Sequence, residues 1–388
     1  MTKEQNKKAP NLRFKGFTND WEQRKLGDIS KSFSGGTPSA GHKEFYGGNI
    51  PFIRSAEINS DSTQLFLTQA GLINSSAKLV SKGTLLFALY GATSGETGIA
   101  QIDGAINQAI MAIKVNKGNT YFVKSWFVKH KNHITSTYLQ GGQGNLSAKI
   151  IKKLLIKLPT LEEQGKVSNL IAQVDKLITL QQRKLELLKE IKKGLLQKMF
   201  ADKSKFPILR FEGFHAEWEQ RKLGEVIELE DNKRKPVKAS KRIPGNIPYY
   251  GANGIQDYVK GYTHTGEHVL VAEDGANSIS NYPVYFICSP SWINNHSHVL
   301  TGKGSIISNK FLTYNLKTVP YAKYLVGSGR YKLNAETLKI IPIKLPLLTE
   351  QNYIGSTLSK IDKLITLQHQ RLSKLNEIKK SLLQQMFI

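Results

Sequence analysis

The sequence predicts an α+β protein in which two mixed, β-rich bodies are separated by two long helices packed as an antiparallel coiled coil. Three observations lead to this fold class. Two amphipathic stretches, residues 157–200 and 344–387, are near copies of each other. Short apolar runs punctuated by glycine precede each stretch, as expected for strands and turns. The whole plan occurs twice along the chain, which indicates an internal repeat with a pseudo-two-fold axis.

The repeat divides the 388 residues into four consecutive parts. The first contains a leader, an aromatic segment that we call the clip, and the first body, and the first long helix follows. A second clip and a second body then precede the second long helix. The clips are residues 12–27 and 209–224. The predicted boundaries of the four parts are residues 1–156, 157–201, 202–343 and 344–388.

Both clips contain the run Trp-Glu-Gln-Arg-Lys-Leu-Gly, which begins at Trp21 and at Trp218. Two phenylalanines, Phe14 and Phe17, precede the first of these tryptophans. Aromatic side chains contribute a large share of burial energy. A buried structural role is therefore predicted for these aromatic residues and for their counterparts in the second clip. Stacking of the two tryptophans on nucleic-acid bases is the alternative.

The two bodies resemble each other only in fragments. Apolar, strand-like runs occupy residues 83–91 and 266–275, and each body ends in a glycine-rich loop followed by a leucine. Short runs of this kind predict mixed, mostly β bodies. Additional helical pieces are expected at residues 121–138 and 321–327.

The two long helices carry the seam of a coiled coil. Each begins with Lys-Leu-Pro, and proline suits a helix entrance because its φ is fixed and it has no N–H to lose. Apolar residues then recur at alternating spacings of three and four over about four heptads. Polar residues interrupt both seams at matching positions, Gln181 with Gln368 and Lys192 with Lys379. The repeated interruptions favour two helices packed on each other over two ordinary core helices.

A second apolar row lies off this seam on both helices. A rod of two helices needs one apolar stripe per helix, so the extra row suggests that helices of another subunit bind here. Packing against the chain's own bodies is the alternative. The residues of this row are Leu177, Leu180, Leu187, Ile191, Leu364, Leu367 and Ile378.

Composition restricts the class and the compartment of the protein. With 40% hydrophobic residues the chain is expected to fold around sizeable cores. The longest apolar run, residues 85–90, is too short to span a bilayer, and the leader lacks the apolar region of a secretory signal. Cys288 is the single cysteine, which excludes a disulfide framework and a cysteine-based metal cluster. A cytoplasmic location is predicted.

The formal net charge is +25, from 55 basic and 30 acidic residues. Such an excess predicts a polyanionic partner, and nucleic acid is the usual one. A membrane surface is the rival partner, but the basic residues are spread over the chain instead of forming an amphipathic anchor. Two similar modules about one pseudo-dyad suit double-stranded DNA, whose grooves recur about every 34 Å.

Several catalytic motifs are missing from the sequence. No stretch matches a Walker P-loop, and the Pro-Pro pair of amino-methyltransferase motifs does not occur. Glu-Ile-Lys occurs at residues 190–192 and 377–379, where helix surface charges explain it better than a nuclease site. His296 and His298 lack a nearby set of metal ligands in sequence. We therefore predict no catalytic residue and no metal site.

The long helices also carry specific motifs. Leu-Pro-Thr-Leu-Glu-Glu-Gln begins at Leu158, Leu-Pro-Leu-Leu-Thr-Glu-Gln begins at Leu345, and both helices end in a closely similar run finishing in Met-Phe. With the duplicated clip and divergent bodies, these motifs resemble the specificity subunit of type I restriction–modification systems over essentially the whole chain. The run at residues 89–95, followed by Ile-Asn-Gln-Ala at 106–109, is similar to the first target-recognition domain of that family. The second body departs from the pattern at residues 273–278.

The resemblance implies a non-catalytic subunit that recognises a two-part DNA site. Each body would be a target-recognition domain for one half of the site, and the long helices would set the spacing. Two methyltransferase subunits would dock on the helices and methylate adenine N6, and restriction and translocase subunits would complete the nuclease. S-adenosylmethionine is expected on the methyltransferase partner, so this chain itself needs no cofactor.

Candidate DNA-binding residues fall into two chemical groups. Basic residues are expected to contact phosphates, although a solvated loop is the alternative for those in the second body. These are Lys43, Arg54, Lys233, Arg234, Lys235 and Lys238. Polar residues on glycine-supported loops can pair with base edges. These are Tyr90, Thr93, Ser94, Gln108, Gln143 and Asn145 in the first body, and Asn253, Asn277, Ser278, Asn295, Arg330 and Lys332 in the second.

Two alternatives from other classes stay open at this point. The chain can be a basic, duplicated coiled-coil scaffold, which would bind DNA with a steep salt dependence and no preferred site. It can also be a self-sufficient DNA-modifying enzyme, which would methylate or cleave DNA without partners.

Overall fold

The computed structural model describes residues 8–139, 145–201, 204–327 and 331–388. Two compact units are present. Unit 1 comprises the chain up to Gln182 together with Arg371–Ile388, and unit 2 comprises Arg183–Gln370. Each unit thus contains one body, the first half of the long helix that follows it, and the last half of the other long helix. The four sequence boundaries given above stay a prediction, because the units divide both long helices.

The first half of the chain is rich in short strands. Its elements are β1 (Glu22–Lys25), α1 (Leu26–Ile29), β2 (Ser30–Ser34), β3 (Tyr46–Ile53), β4 (Phe66–Leu67), α2 (Gln69–Ile73), β5 (Lys78–Val80), β6 (Leu85–Ala88), β7 (Thr97–Ile99), β8 (Gly104–Ile106), β9 (Ile110–Val115), α3 (Thr120–Tyr138), α4 (Ala148–Lys153), β10 (Leu155–Leu158) and α5 (Leu161–Lys198).

The second half repeats this plan with a different body. Its elements are β11 (Glu219–Lys222), α6 (Leu223–Val226), β12 (Ile227–Leu229), β13 (Pro244–Gly251), β14 (Gly254–Val259), β15 (His268–Ala272), β16 (Val284–Ile287), β17 (Trp292–Ile293), β18 (Ser297–Gly302), α7 (Asn309–Leu316), α8 (Ala335–Lys339), β19 (Pro342–Leu345) and α9 (Leu348–Met386).

Each body is built on a four-stranded antiparallel sheet. The strand order is β2-β9-β6-β7 in the first body and β12-β18-β15-β16 in the second. The central strands β6 and β15 are buried along their whole length, which agrees with their largely apolar sequences. Helix α3 packs against β6, β7 and β9, and α7 packs against β15, β16 and β18. These cores explain the predicted mixed, β-rich bodies.

One expectation about the second body was wrong. Residues 121–138 are helical as predicted, within α3. In the second body, however, the helix is α7, and residues 321–327 contain only a single 3-10 turn, Tyr321–Lys323. Ser308 caps the start of α7 by accepting a hydrogen bond from the N–H of Phe311. Helix α7 cannot continue through Pro320 into residues 321–327, because proline has no N–H to donate to the preceding turn.

Helices α5 and α9 form the predicted antiparallel coiled coil. In unit 1, Asp175 near the start of α5 pairs with Lys379 near the end of α9 at 2.6 Å. In unit 2, Lys192 near the end of α5 pairs with Asp362 near the start of α9. Seam residues are buried on both helices, among them Ile171, Ile178, Leu185, Leu358 and Leu372. The apolar seam therefore lies between the helices, and the pseudo-two-fold repeat is confirmed.

The clip tryptophans are buried, as predicted, whereas Phe14, Phe17 and their counterparts are only half-buried. The indole of Trp21 packs on Phe122 of α3 and on Phe387 at the end of the second long helix, with ring centroids 5.5 and 6.4 Å away. Trp218 packs in the same way on Phe311 and Phe200, at 5.8 and 6.3 Å. The two tryptophans are 6% and 3% exposed, so their rings are not available for stacking on bases.

In the described residues, no helix combines the length and the apolar character that crossing a membrane requires.

Candidate DNA interface

The glutamate of the helix-entrance motif holds the clip. Glu163 of α5 receives two hydrogen bonds from the Arg13 guanidinium, at 2.8 and 2.7 Å. Glu350 of α9 receives the equivalent pair from Arg210, both at 2.7 Å. The glutamates are 1% and 0% exposed, and bidentate pairs of this kind fix both partners strongly. The sequence pattern reveals the motif but not this contact.

The glutamine that follows connects each long helix to its body. The side-chain oxygen of Gln164 accepts the backbone N–H of Asn119, and that of Gln351 accepts the backbone N–H of Ser308, at 2.9 and 3.0 Å. Asn119 and Ser308 are the N-caps of α3 and α7. Each glutamine also donates to the carbonyl of the entrance proline. The motif therefore positions the body helix on the long helix.

Three loops meet at one edge of the first body, and we call them the first loop cluster. They are the loop after β6 (residues 89–95), the loop before β9 (106–109) and the described part of the glycine-rich loop (145–146). The N–H of Leu89 donates to Ala109, and the N–H of Leu146 donates to Leu89, each at 2.8 Å.

The candidate residues of the first body lie largely in this cluster. Tyr90 forms a β-bridge with Asn145, and its phenol bonds the Gln108 side chain. Burial raises the pKa of Tyr90, so the phenol keeps its proton. The Ser94 hydroxyl donates to the carbonyl of Gly91 at 2.9 Å, and Thr93 is half-buried in the same turn. Gln143 lies outside the described residues.

The second body forms an equivalent cluster, the second loop cluster, from residues 273–278, 293–296 and 331–333. The N–H of Glu273 donates to His296 at 2.9 Å, and the N–H of Leu333 donates to Glu273 at 2.7 Å. Asp274 forms a β-bridge with Lys332, as Tyr90 does with Asn145. Two bodies that differ in sequence therefore bring the same three loops together.

Some candidates of the second body support the loops. The Asn253 amide donates to the carbonyl of Gly275 and accepts the N–H of Asn277, both at 2.9 Å. The Ser278 hydroxyl accepts the N–H of Asn281 at 3.0 Å. Asn295 is exposed, and Arg330 lies outside the described residues. Asp274 contacts His296 through its carboxylate, and this pair at the cluster was missed by sequence analysis.

A charged network lies beneath the second loop cluster. Glu273 pairs with Arg234 at 2.7 Å and with Lys332 at 3.0 Å, and Asp231 contacts Arg234 at 3.2 Å. Nδ1 of His298 faces Asp231 at 2.6 Å. Asp231, Glu273 and His298 are close enough to hold a metal ion. Their carboxylates already face the two cations, so the donor set fits an ion-pair network better than a metal site.

The pKa of Glu273 reflects this network. Burial alone would raise it, but Arg234 and Lys332 outweigh burial and lower the pKa below its ordinary value.

The basic candidates differ in their availability to phosphates. Lys43, Lys235 and Lys238 are exposed, and Lys233 is exposed beside Glu230. Arg54 pairs with Glu57 at 2.9 Å. Arg234 does not match the expectation of a surface cation, because its side chain is 14% exposed and its guanidinium also donates to the carbonyl of Ser297. Charge counting along a sequence does not reveal such an internal role.

The second apolar row of the long helices is exposed in both units. Exposed fractions run from 42% for Ile378 to 52% for Leu180 and Ile191. The chain's own bodies therefore do not bury this row, although Leu367 lines a groove with Tyr285 and Phe286 of the second body.

The chain matches the profile of the type I restriction modification DNA specificity domain twice, over residues 18–190 and 215–377. The chain belongs to this family. A candidate type I restriction enzyme specificity subunit of Haemophilus influenzae is 46% identical over 153 residues, which are 39% of each chain. The MjaVIII specificity subunit of Methanocaldococcus jannaschii is 23% identical over 94% of this chain and 91% of its own.

The fold agrees with this assignment. The crystal structure of the type I restriction–modification S subunit from M. genitalium superposes with a TM-score of 0.75, at 17% identity, covering 98% of this chain and 99% of that one. As a specificity subunit, the chain is a DNA-recognition component and not a catalytic one.

Proposed function

We propose that this chain recognises a bipartite site on double-stranded DNA, each body serving as the target-recognition domain for one half. The observation that carries the proposal is the equivalence of the two loop clusters. Hydrogen bonds at matching positions join the same three loops in both bodies, although the side chains they present differ. A framework shared by both bodies, with different polar groups on it, suits two modules that read different bases.

The long helices are proposed to set the gap between the half-sites and to dock two methyltransferase subunits. The exposed apolar row supports docking, because large apolar patches mark protein interfaces. The docked subunits would bind S-adenosylmethionine and methylate adenine N6, while restriction and translocase subunits would complete the cleaving complex. Such a complex would act in the cytoplasm, and no cofactor is assigned to this chain.

The proposal is tested by reconstitution. The full chain is mixed with its methyltransferase subunit, labelled S-adenosylmethionine and genomic DNA, and methylated adenines are mapped by sequencing. We expect one two-part motif with a fixed gap, and only when both proteins are present. Exchanging residues 30–145 for the matching segment of another family member should change one half of that motif.

Three results would contradict the proposal. Methylation by this chain alone indicates a self-sufficient enzyme. DNA binding with no preferred site indicates a basic scaffold. A change in both halves after the exchange of one body excludes the modular assignment.

A further inference from the structure

The two lysines that interrupt the coiled-coil seam, Lys192 and Lys379, each reach a partly buried charge cluster. In unit 1, Asp175 of α5 accepts contacts from three donor side chains. We call Asp175 and these three residues the first charge cluster. Lys379 of α9 contacts one carboxylate oxygen at 2.6 Å. The other oxygen accepts from Lys124 of α3 at 2.7 Å and from the Tyr121 hydroxyl of the same helix. One carboxylate thus joins both long helices and the body helix.

Unit 2 contains the second charge cluster, which is centred on Asp362 of α9. Lys192 of α5 pairs with Asp362, and the Tyr314 hydroxyl of α7 donates to it at 2.8 Å. The ammonium of Lys317 lies over the Tyr314 ring at 5.4 Å, as Lys124 lies over Tyr121 at 4.5 Å. Desolvation, reinforced by Lys192, lowers the pKa of Lys317 to about 8.

The body residues of the two clusters do not occupy equivalent helix positions. Phe122 and Phe311 each lie three residues after their N-caps, and each packs on its clip tryptophan. Tyr121, however, is the second residue of α3, whereas Tyr314 is the sixth residue of α7. A tyrosine with a lysine three residues later therefore reaches the equivalent aspartate of each repeat, but in α7 it does so from a position one turn further along the helix. Simple inheritance from a duplicated scaffold does not explain this coincidence.

The electrostatics indicate that these charges select one register of the two long helices more than they stabilise the fold. Burial alone would raise the pKa of Asp175, but Lys124 and Lys379 lower it, so the carboxylate stays ionised. Buried ion pairs contribute little net stability, because desolvation offsets their attraction. A polar group in a coiled-coil seam does select register, because any slip leaves it buried without a partner.

We propose that Asp175 and Asp362 are positioning residues. They fix the register of the two long helices and the position at which each body helix packs on them. This inference rests on the proposed function, since the register then sets the gap between the two half-sites. The clusters act through geometry and do not contact DNA.

The test uses the full chain reconstituted with its methyltransferase subunits. An apolar variant replaces the second charge cluster by apolar side chains and carries Tyr314→Phe, Lys317→Met, Lys192→Leu and Asp362→Leu. Asp362→Asn is the single variant, and Glu162→Gln, which removes an exposed ion pair within α5, is the matched control. The readout is methylation at the preferred gap divided by methylation at gaps one base pair shorter or longer.

We expect the apolar variant to fold and melt at or above the wild-type temperature, because well-packed apolar groups commonly match a buried ion pair. Its gap ratio should fall by about tenfold, similar to the effect of one mismatched base pair. Asp362→Asn should lower the ratio in the same direction, and Glu162→Gln should leave it unchanged.

An unchanged gap ratio in both the apolar variant and Asp362→Asn overturns the inference. An equal loss of methylation at every gap also overturns it. Failure of the apolar variant to fold also overturns it, because the cluster would then serve stability. A wild-type complex without any gap preference instead contradicts the proposed function itself, so the two failures are distinguishable.

Discussion

Tyr90 and Asp274 occupy matching places in the two loop clusters but offer different chemistry. A phenol donates and accepts, whereas an ionised carboxylate only accepts. Carboxylates accept from the amino group of cytosine in the major groove. His296 contacts the Asp274 carboxylate. At the scale of single residues, these two positions are where the half-sites are expected to diverge.

Asp274→Asn is therefore expected to change base preference in one half-site only. The amide adds a hydrogen-bond donor, and the free energy of binding to the original base should become less favourable by about 1–3 kcal/mol. Methylation sequencing of the reconstituted complex measures this change. Tyr90→Phe is the matched variant and should affect only the other half. Identical motifs for wild type and Asp274→Asn would exclude a base contact at this position.

Glu57 stabilises the first body through Arg54. Burial alone would raise the pKa of Glu57, but the Arg54 side chain and the N–H groups of Gln64 and Arg54 lower it to about 2. A lowered carboxyl pKa adds stability above the unfolded-state pKa, near 4.5, and this stability is lost as pH falls toward 2.

Glu57→Gln is expected to lower the free energy of unfolding at pH 7 by about 2 kcal/mol, because it removes charge-assisted hydrogen bonds. It should also remove part of the acid sensitivity between pH 4.5 and 2. Urea unfolding followed across this range measures both effects. Asp61→Asn, in an exposed loop, is the control. Equal acid sensitivity in wild type and Glu57→Gln would contradict the assignment.

At the scale of elements, the entrance of each long helix joins clip, body and helix. Glu163 and Gln164 point to different partners because neighbouring helix positions differ by about 100°. The glutamate meets the clip arginine, and the glutamine meets the N-cap of the body helix. Local periodicity predicted both long helices well, since each has many turns of the same pattern. It misplaced the shorter α7, whose limits depend on its cap.

Glu163→Gln should destabilise the protein by about 3 kcal/mol, because it leaves the Arg13 guanidinium without its counter-charge in a buried site. Glu162→Gln is the matched control one residue earlier. Glu162 is exposed and pairs with Lys166 within the helix, a contact worth about 0.5 kcal/mol or less. Thermal and urea unfolding of the full chain measure both. Equal effects of the two substitutions would show that the clip pair is not structural.

At the scale of the whole molecule, the two repeats share a framework and differ in the groups they display. The second apolar row supports partner docking, so Leu180→Gln/Leu187→Gln should weaken binding of the methyltransferase subunit at least about tenfold. Stability should change little, because both leucines are about half exposed. Leu79→Gln, at an exposed leucine in β5, is the control, and calorimetric titration measures the affinity. Full affinity in the double variant would place the docking surface elsewhere.

The sequence by itself determined the repeat, the long antiparallel helices, the buried clip tryptophans and the family. These features depend on local periodicity and on repeated strings, which the order of residues displays directly. Only the tertiary structure decided that Lys192 and Lys379 pair with partly buried aspartates, that Arg234 turns inward, and that three distant loops converge in each body. Such contacts join residues far apart in the chain, and their partners are selected by packing and charge compensation in three dimensions.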